Sequence, residues 1–181
     1  MASRFIVAGL AAAFLSLAAP AGAAPAANGV SPQDVRSMVG LIEYLYAGYD
    51  NGANERKSFF ETVPWDIDTG RLIGRVDTCQ RAGDGEVIDY DWPSDSQDPT
   101  IKNLSVTYEG GTRQGHATVR AAFSQGGPKP VVIHYDMTLY QDAPLPRRWG
   151  VNNIRIQDSR GTDDLLKNLS RILATDCKAF E

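Results

Sequence analysis

Four residues of this chain have the types and the alternating placement that acid–base chemistry requires: Glu109, His116, His134 and Asp136. A carboxylate beside an imidazole orients the ring and tunes it as a general base near neutral pH. The same side chains on a solvated sheet face would only form cross-strand ion pairs, each worth roughly a few tenths of a kcal/mol. Both interpretations stay open, and the sequence favours the second.

Other kinds of site chemistry have little support. The chain holds two His and two Cys, which do not make a zinc site, and it lacks the phosphate-loop, nucleophile-elbow and His-Glu-x-x-His motifs. We therefore predict no metal and no cofactor. The acidic connector 84–100 lacks the spacing of a calcium loop, so we interpret it as a solvated loop. Four residues are candidates for contact with a ligand or partner: Asp89, Asp91, Trp92 and Arg120.

The first residues have the pattern of a secretory signal peptide. Arg4 precedes an uncharged apolar run over 5–17, and Ala21-Gly22-Ala23 offers a small-residue cleavage site. We predict a signal peptide over 1–23, a flexible leader over 24–30 and a single domain over 31–181. The protein would then be exported, to a bacterial periplasm or the medium. Stable membrane insertion after cleavage is not expected, because no later apolar run is long enough.

Both cysteines, Cys79 and Cys177, lie in the predicted mature part. Paired thiols form disulfides in an oxidising compartment. We therefore predict a bridge closing a loop of about 100 residues, which the chain-entropy estimate values at about 4–5 kcal/mol. Two buried free thiols are the competing interpretation.

Charge limits the choice of partner. The net charge is −4 and the pI about 5.2, which argues against a nucleic-acid binder. Arg4 is the only charged residue over 1–23, so cleavage changes the net charge from −4 to −5. An acidic domain suits a basic partner.

The elements that would position these residues follow from apolar periodicity. We predict a helix that begins at Ser31 and ends before Asp50, and further helices over 58–63, 68–82 and 162–176. Alternation predicts strands over 103–109, 116–124 and 131–140, and a fourth from Trp149 with a bulge or a strand end at Asn152-Asn153. Short connections favour an antiparallel meander. The fold class is α+β, with N-terminal helices on a four-stranded antiparallel sheet and a C-terminal helix.

The apolar faces of neighbouring strands must coincide, which restricts their register. One allowed register places Ala121 opposite Tyr135 and Arg120 opposite Asp136, and the neighbouring one places Arg120 opposite His134. In the first hairpin, Val106 opposite Val119 would bring Glu109 opposite His116. The non-core face then collects nine polar residues: Ser105, Thr107, Glu109, His116, Thr118, Arg120, His134, Asp136 and Thr138.

Several short motifs carry a resemblance to a known family. They are Asp89-Tyr90-Asp91-Trp92-Pro93, Gln97-Asp98-Pro99-Thr100-Ile101, Trp149-x-Val151-x-x-Ile154 and the helix ending Tyr46 to Tyr49. The stretch 89–154 resembles exported bacterial domains of unknown function. The order of elements is similar to the nuclear-transport-factor-2-like, cystatin-like α+β cone. Asn152-Asn153 stand where that family usually has acidic residues, so no acidic role is carried over to them.

The resemblance implies a fold rather than a reaction, because such cones include isomerases, dehydratases and binding modules. Members similar to ketosteroid isomerases place an Asp or His inside the cone, whereas the inward residues here are mostly apolar. We therefore predict a non-catalytic periplasmic module that binds a small molecule or a protein, one form being an inhibitor or immunity-type protein. The alternative is a small isomerase- or hydrolase-like enzyme using His116 or His134 with Asp136 or Glu109.

Overall fold

The computed structural model describes residues 30–49, 59–83, 91–96, 100–112, 115–140, 148–158 and 161–177. The predicted signal peptide, the leader up to residue 29 and Asp89 lie outside the described residues. The helices are α1 (Pro32–Ala47), α2 (Phe59–Thr62), α3 (Ile67–Arg81) and α4 (Leu165–Thr175). The strands are β1 (Lys102–Gly111), β2 (His116–Ser124), β3 (Val131–Tyr140), β4 (Arg148–Asp158) and β5 (Gly161–Asp164).

The five strands form one antiparallel sheet in chain order, so the α+β class and the meander are confirmed. The prediction of four strands was wrong. β5 occupies residues 161–164, where the last helix was expected to begin at Thr162. A hairpin that places Gln157 opposite Thr162 forms there instead. The helix begins only after Asp164, which caps it by accepting from the Lys167 amide.

Capping residues also fix the starts of the two long N-terminal helices. Ser31 and Asp34 form a reciprocal capping box at the start of α1. Asp66 caps α3 by accepting from the Thr69 amide. The buried positions of α3 are Thr69, Ile73, Val76 and Cys79. Its core face therefore includes Ile73, whereas the neighbouring Leu72 is only partly buried.

The core lies between the helices and one face of the sheet, the inner face. Six alternating positions of β2 and β3 are buried on this face: Val119, Ala121, Phe123, Ile133, Tyr135 and Met137. On β4 the register shifts between Asp136 and Met137 of β3, leaving Asn152 as the extra residue of a bulge. The strand therefore continues through a bulge rather than ending there, and Trp149, Val151, Ile154 and Ile156 are all buried despite their change of parity.

A disulfide joins Cys79 of α3 to Cys177 just beyond α4. The Cα atoms are 5.8 Å apart, and both residues are buried in the core. The bridge predicted from compartment and cysteine count is therefore confirmed, and the interpretation as two free thiols is wrong.

Candidate functional site

The sheet face opposite the helices, which we call the outer face, carries the predicted polar residues. It comprises Ser105, Thr107, Glu109, His116, Thr118, Arg120, His134, Asp136, Thr138 and Arg155, all of them exposed or partly exposed. Nine of these ten were predicted from alternation. Arg155 was missed, although the same phase change that placed Ile154 and Ile156 in the core also turns Arg155 outward.

Strand register decides which of these side chains meet. Arg120 of β2 lies opposite His134 of β3, and His134 lies opposite Arg155 of β4. The neighbouring register named from the sequence is thus confirmed. The other register, with Arg120 opposite Asp136, is wrong, since Asp136 lies opposite Thr118.

Glu109 does not lie opposite His116 as predicted, because the register between β1 and β2 differs from the predicted one by two residues. Val106 lies opposite Ala121, and Gly110 lies opposite Thr118. The register shifts between Tyr108 and Gly110, so Glu109 is the extra residue of a bulge. Alternation cannot reveal an insertion of this kind when the residues that follow are two glycines without side chains.

The bulge directs the Glu109 carboxylate across β2 towards β3. Its Oε2 lies 2.9 Å from Nδ1 of His134, and its Oε1 lies 3.9 Å from Nε of Arg120. The His134 side chain retains 16% of its exposed surface, and that of Glu109 retains 36%. A carboxylate therefore orients this imidazole through Nδ1, in the arrangement that acid–base chemistry uses.

Asp136 forms the second charged pair of the outer face. Its two carboxylate oxygens accept from Nε and a terminal nitrogen of Arg155 at 2.8 and 2.7 Å, a bidentate pair. Thr118 donates to Asp136 at 3.2 Å. The hydrogen bonds that Arg155 donates to Asp136 raise the pKa of its guanidinium, which stays charged.

His116 stands apart from both carboxylates. It is exposed, and its Nδ1 lies 3.4 Å from the Thr138 hydroxyl. The structure therefore pairs His134 with Glu109, whereas the neighbour of His116 is a neutral hydroxyl. Of the two histidines named from the sequence, His134 is the one whose ring lies against a carboxylate.

A groove of about 410 Å³ lies at one end of the outer face. Its lining includes Gly110, Gly111, Thr112, His116, Thr118 and Asp136. A Cβ placed on Gly110 would meet no atom within 4 Å, so the missing side chain leaves the groove open. The groove is large enough for a small ligand or for one side chain of a partner.

Asp91 and Trp92 lie elsewhere and close a loop onto the core. Trp92 is fully buried, and the Asp91 carboxylate accepts from Tyr49 and Ser94, both at 2.5 Å. Gln125 holds the same loop by donating to the Ser94 carbonyl. Asp91 and Trp92 therefore stabilise the loop 91–96 against the core. That either residue contacts a ligand or partner stays a prediction.

Two phenols inside the fold, those of Tyr46 and Tyr135, are paired with each other. The Tyr46 hydroxyl donates to the Pro93 carbonyl at 2.5 Å and lies 2.9 Å from the Tyr135 hydroxyl. Burial raises the pKa of both phenols well above the ordinary value. Tyr46 also packs against Phe123, with ring centroids 5.4 Å apart. Side chains therefore fill the space between α1 and the inner face at this point.

Two further observations concern metal ions and membranes. Within the described ranges, no three His, Cys, Asp or Glu side chains are grouped to hold a metal ion. In the same part of the chain, no helix is both long and apolar enough to span a membrane.

No family model, curated protein or solved structure matches this chain.

Proposed function

We propose that this protein is a non-catalytic, exported binding module that recognises a protein partner through its outer face. The observation that carries the proposal is the array of charged side chains on that face: Glu109, Arg120, His134, Asp136 and Arg155. They come from four neighbouring strands, and the helices lie on the other side of the sheet. Five strands span roughly 19 Å, which suits a protein surface better than a small ligand.

The charges are already organised before a partner arrives. Asp136 holds Arg155 through two hydrogen bonds, and Glu109 lies beside both His134 and Arg120. Preorganised charges reduce the ordering cost of association and select a partner with complementary charges. The groove beside Gly110 would accept one protruding side chain of that partner.

The net charge favours a basic partner. An inhibitor or immunity-type protein, which neutralises a basic enzyme acting in the envelope, is the specific form of this function that we favour. Export is part of the proposal. It is supported by the signal-peptide pattern over 1–23 and by the disulfide, which suits an oxidising compartment. Kinship with the nuclear-transport-factor-2-like domains is likewise proposed, supported by helices packed on an antiparallel sheet.

Capture from an envelope extract tests the proposal. The immobilised mature protein is compared with Asp136→Lys on the outer face and with Glu43→Lys, an exposed position on α1. We expect one basic protein to be retained by the wild type and by Glu43→Lys and lost with Asp136→Lys, because a cation then replaces an acid that faces the basic partner. Equal retention by all three proteins, or retention by none, would contradict a binding role for this face.

The contact between Glu109 and His134 favours a second function, an isomerase- or hydrolase-like enzyme with His134 as base. Its hydrolase form predicts turnover of a generic ester such as p-nitrophenyl acetate. The turnover should be lost in His134→Ala and kept in His116→Ala, the matched control on the same face. Hydrolysis no faster than in buffer, or equal loss in both variants, would exclude the hydrolase form.

A further inference from the structure

The two long edges of the sheet differ in how they are covered. Beyond β4, the backbone of Val151 pairs with Pro64 and Asp66, β5 pairs with residues 155–158, and Asn153 accepts from the Leu166 amide. On β1, no described residue makes a backbone hydrogen bond to the side that faces away from β2. β1 is therefore an open edge, of the kind that can pair with another strand.

The open edge also leaves apolar surface in contact with water. Leu104, Val106 and Tyr108 point to the inner face but are only partly buried, whereas Val119 and Ala121 beside them on β2 are fully buried. Bulges interrupt β1 near Asn103, which has a φ of 54°, and at Glu109. Between them, the stretch 104–108 contains no proline and no charged residue that would discourage pairing.

We propose that the protein self-associates by antiparallel pairing of this edge with the same edge of a second copy, about a two-fold axis at Val106. In that register Val106 meets its own copy and Leu104 meets Tyr108 of the second copy, so apolar residues pair on the inner face. Ser105 meets Thr107 on the outer face, where both are polar. A shift of two residues in either direction would place Tyr108 opposite Lys102, or Ser105 opposite Glu109 in its bulge.

Identical edges pair in this way because the two-fold axis makes the interface self-complementary. Five residues from each chain bury much less than a standard interface, so the dimer is weak and reversible. Pairing would join the outer faces of two copies into one continuous sheet surface. The inference stands independently of the proposed function, since Asp136, the residue changed in the partner test, lies on β3 and takes no part in the edge.

Single-cysteine variants test both the association and its register. Val106→Cys should cross-link to a covalent dimer on mild oxidation, because the two Cβ atoms would lie about 4.5–5.5 Å apart. Ser105→Cys is the matched control: it is more exposed but does not meet its own copy. The native bridge is buried, and it should not exchange. A mixture of Ser105→Cys with Thr107→Cys should cross-link where neither does alone.

Sedimentation velocity on the wild type and on Val106→Asp gives an independent reading. We expect the average mass of the wild type to rise with concentration. The mass of Val106→Asp should stay that of a monomer, and its circular dichroism should equal that of the wild type. Val106→Thr, which keeps the side-chain shape without a charge, should still associate. A wild type that is monomeric throughout, or faster cross-linking at 105 than at 106, would overturn the proposal. Cross-linking retained when Asp136→Lys is combined with Val106→Cys would separate this result from the partner test.

Discussion

The buried carboxylate of Asp34 links the start of α1 to β4. Its carboxylate accepts from the amide and the hydroxyl of Ser31 at the start of α1, and it also accepts from the Trp149 indole at 3.1 Å. Only 8% of the residue is exposed. The same group therefore caps a helix and ties that helix to β4, 115 residues further along the chain.

We expect Asp34→Ala to lower the free energy of unfolding by about 2–4 kcal/mol. Loss of the hydrogen bonds from Ser31 costs about 0.5–1 kcal/mol, because the Ser31 side chain still caps the helix, and loss of the buried hydrogen bond from the Trp149 indole to the carboxylate costs about 1.5–3 kcal/mol. Urea denaturation measures the change. Asp68→Ala is the control, since Asp68 is an exposed first-turn acid of α3 whose ion pair with Arg71 should contribute less than about 1 kcal/mol. Equal losses in the two variants would contradict the role given to Asp34.

The residue scale also shows what the sequence could predict about the site. Alternation placed His134 and Asp136 correctly on the outer face, because every inward neighbour on β3 is apolar. It could not predict the partner of His134, since Glu109 reaches that ring only through a bulge. The tie between Asp34 and Trp149 was equally unpredictable, because the capping motif accounts for Asp34 without any distant partner.

At the scale of elements, α1 and β3 are joined by two buried phenols. Tyr46 and Tyr135 bond to each other, and Tyr46 also holds the loop 91–96 through the Pro93 carbonyl. Burial disfavours the ionised form of each, so the pKa of each phenol is raised in the folded state. The unfolded chain, by contrast, ionises these tyrosines near their ordinary pKa of about 10.

This difference predicts loss of stability in alkali. The contribution is fully present below about pH 10, and it falls above that value because only the unfolded state releases the protons. The slope is about 1.4 kcal/mol per pH unit for each tyrosine. Urea midpoints measured between pH 9 and about 11.5 should show it, and Tyr135→Phe should lower the slope by about 1.4 kcal/mol per pH unit. An unchanged slope in that variant would contradict the assignment. Tyr44→Phe, at an exposed position, is the control.

The limits of helices and strands agree with the prediction where one local sequence pattern determines them. The extents of β2 and β3 match their alternation, and α1 begins where Ser31 and Pro32 predict. The start of α4 did not, because Thr162 fits a helix or a strand and its pairing with Gln157 depends on the neighbouring strand. Short strands of this kind are fixed by tertiary context rather than by local preference.

At the scale of the whole molecule, the disulfide constrains the unfolded chain more than it adds contacts to the folded one. The bridge spans a sequence separation of 98 residues. A loop of that length is worth about 4–5 kcal/mol in the chain-entropy model. It also fastens α3 to the end of α4, so two helices that are distant in the chain are held on the same side of the sheet.

We expect the double variant Cys79→Ala, Cys177→Ala to unfold with about 4–5 kcal/mol less free energy than the oxidised wild type. Urea denaturation with and without a reductant supplies the internal control. The reductant should bring the wild type close to the variant and leave the variant unchanged. A variant as stable as the oxidised protein would show that the bridge adds nothing to stability.

The position of β4 in the chain has a consequence for the order in which this protein can fold. The partners of α1 and α3 include Trp149, Val151, Asn152 and Cys177, all in the last third of the chain. Contacts between such distant residues form slowly, because a long loop must close before they can stabilise anything. The N-terminal helices therefore lack their stabilising partners until nearly the whole polypeptide has been made, so they can reach their final packing only when synthesis is almost complete.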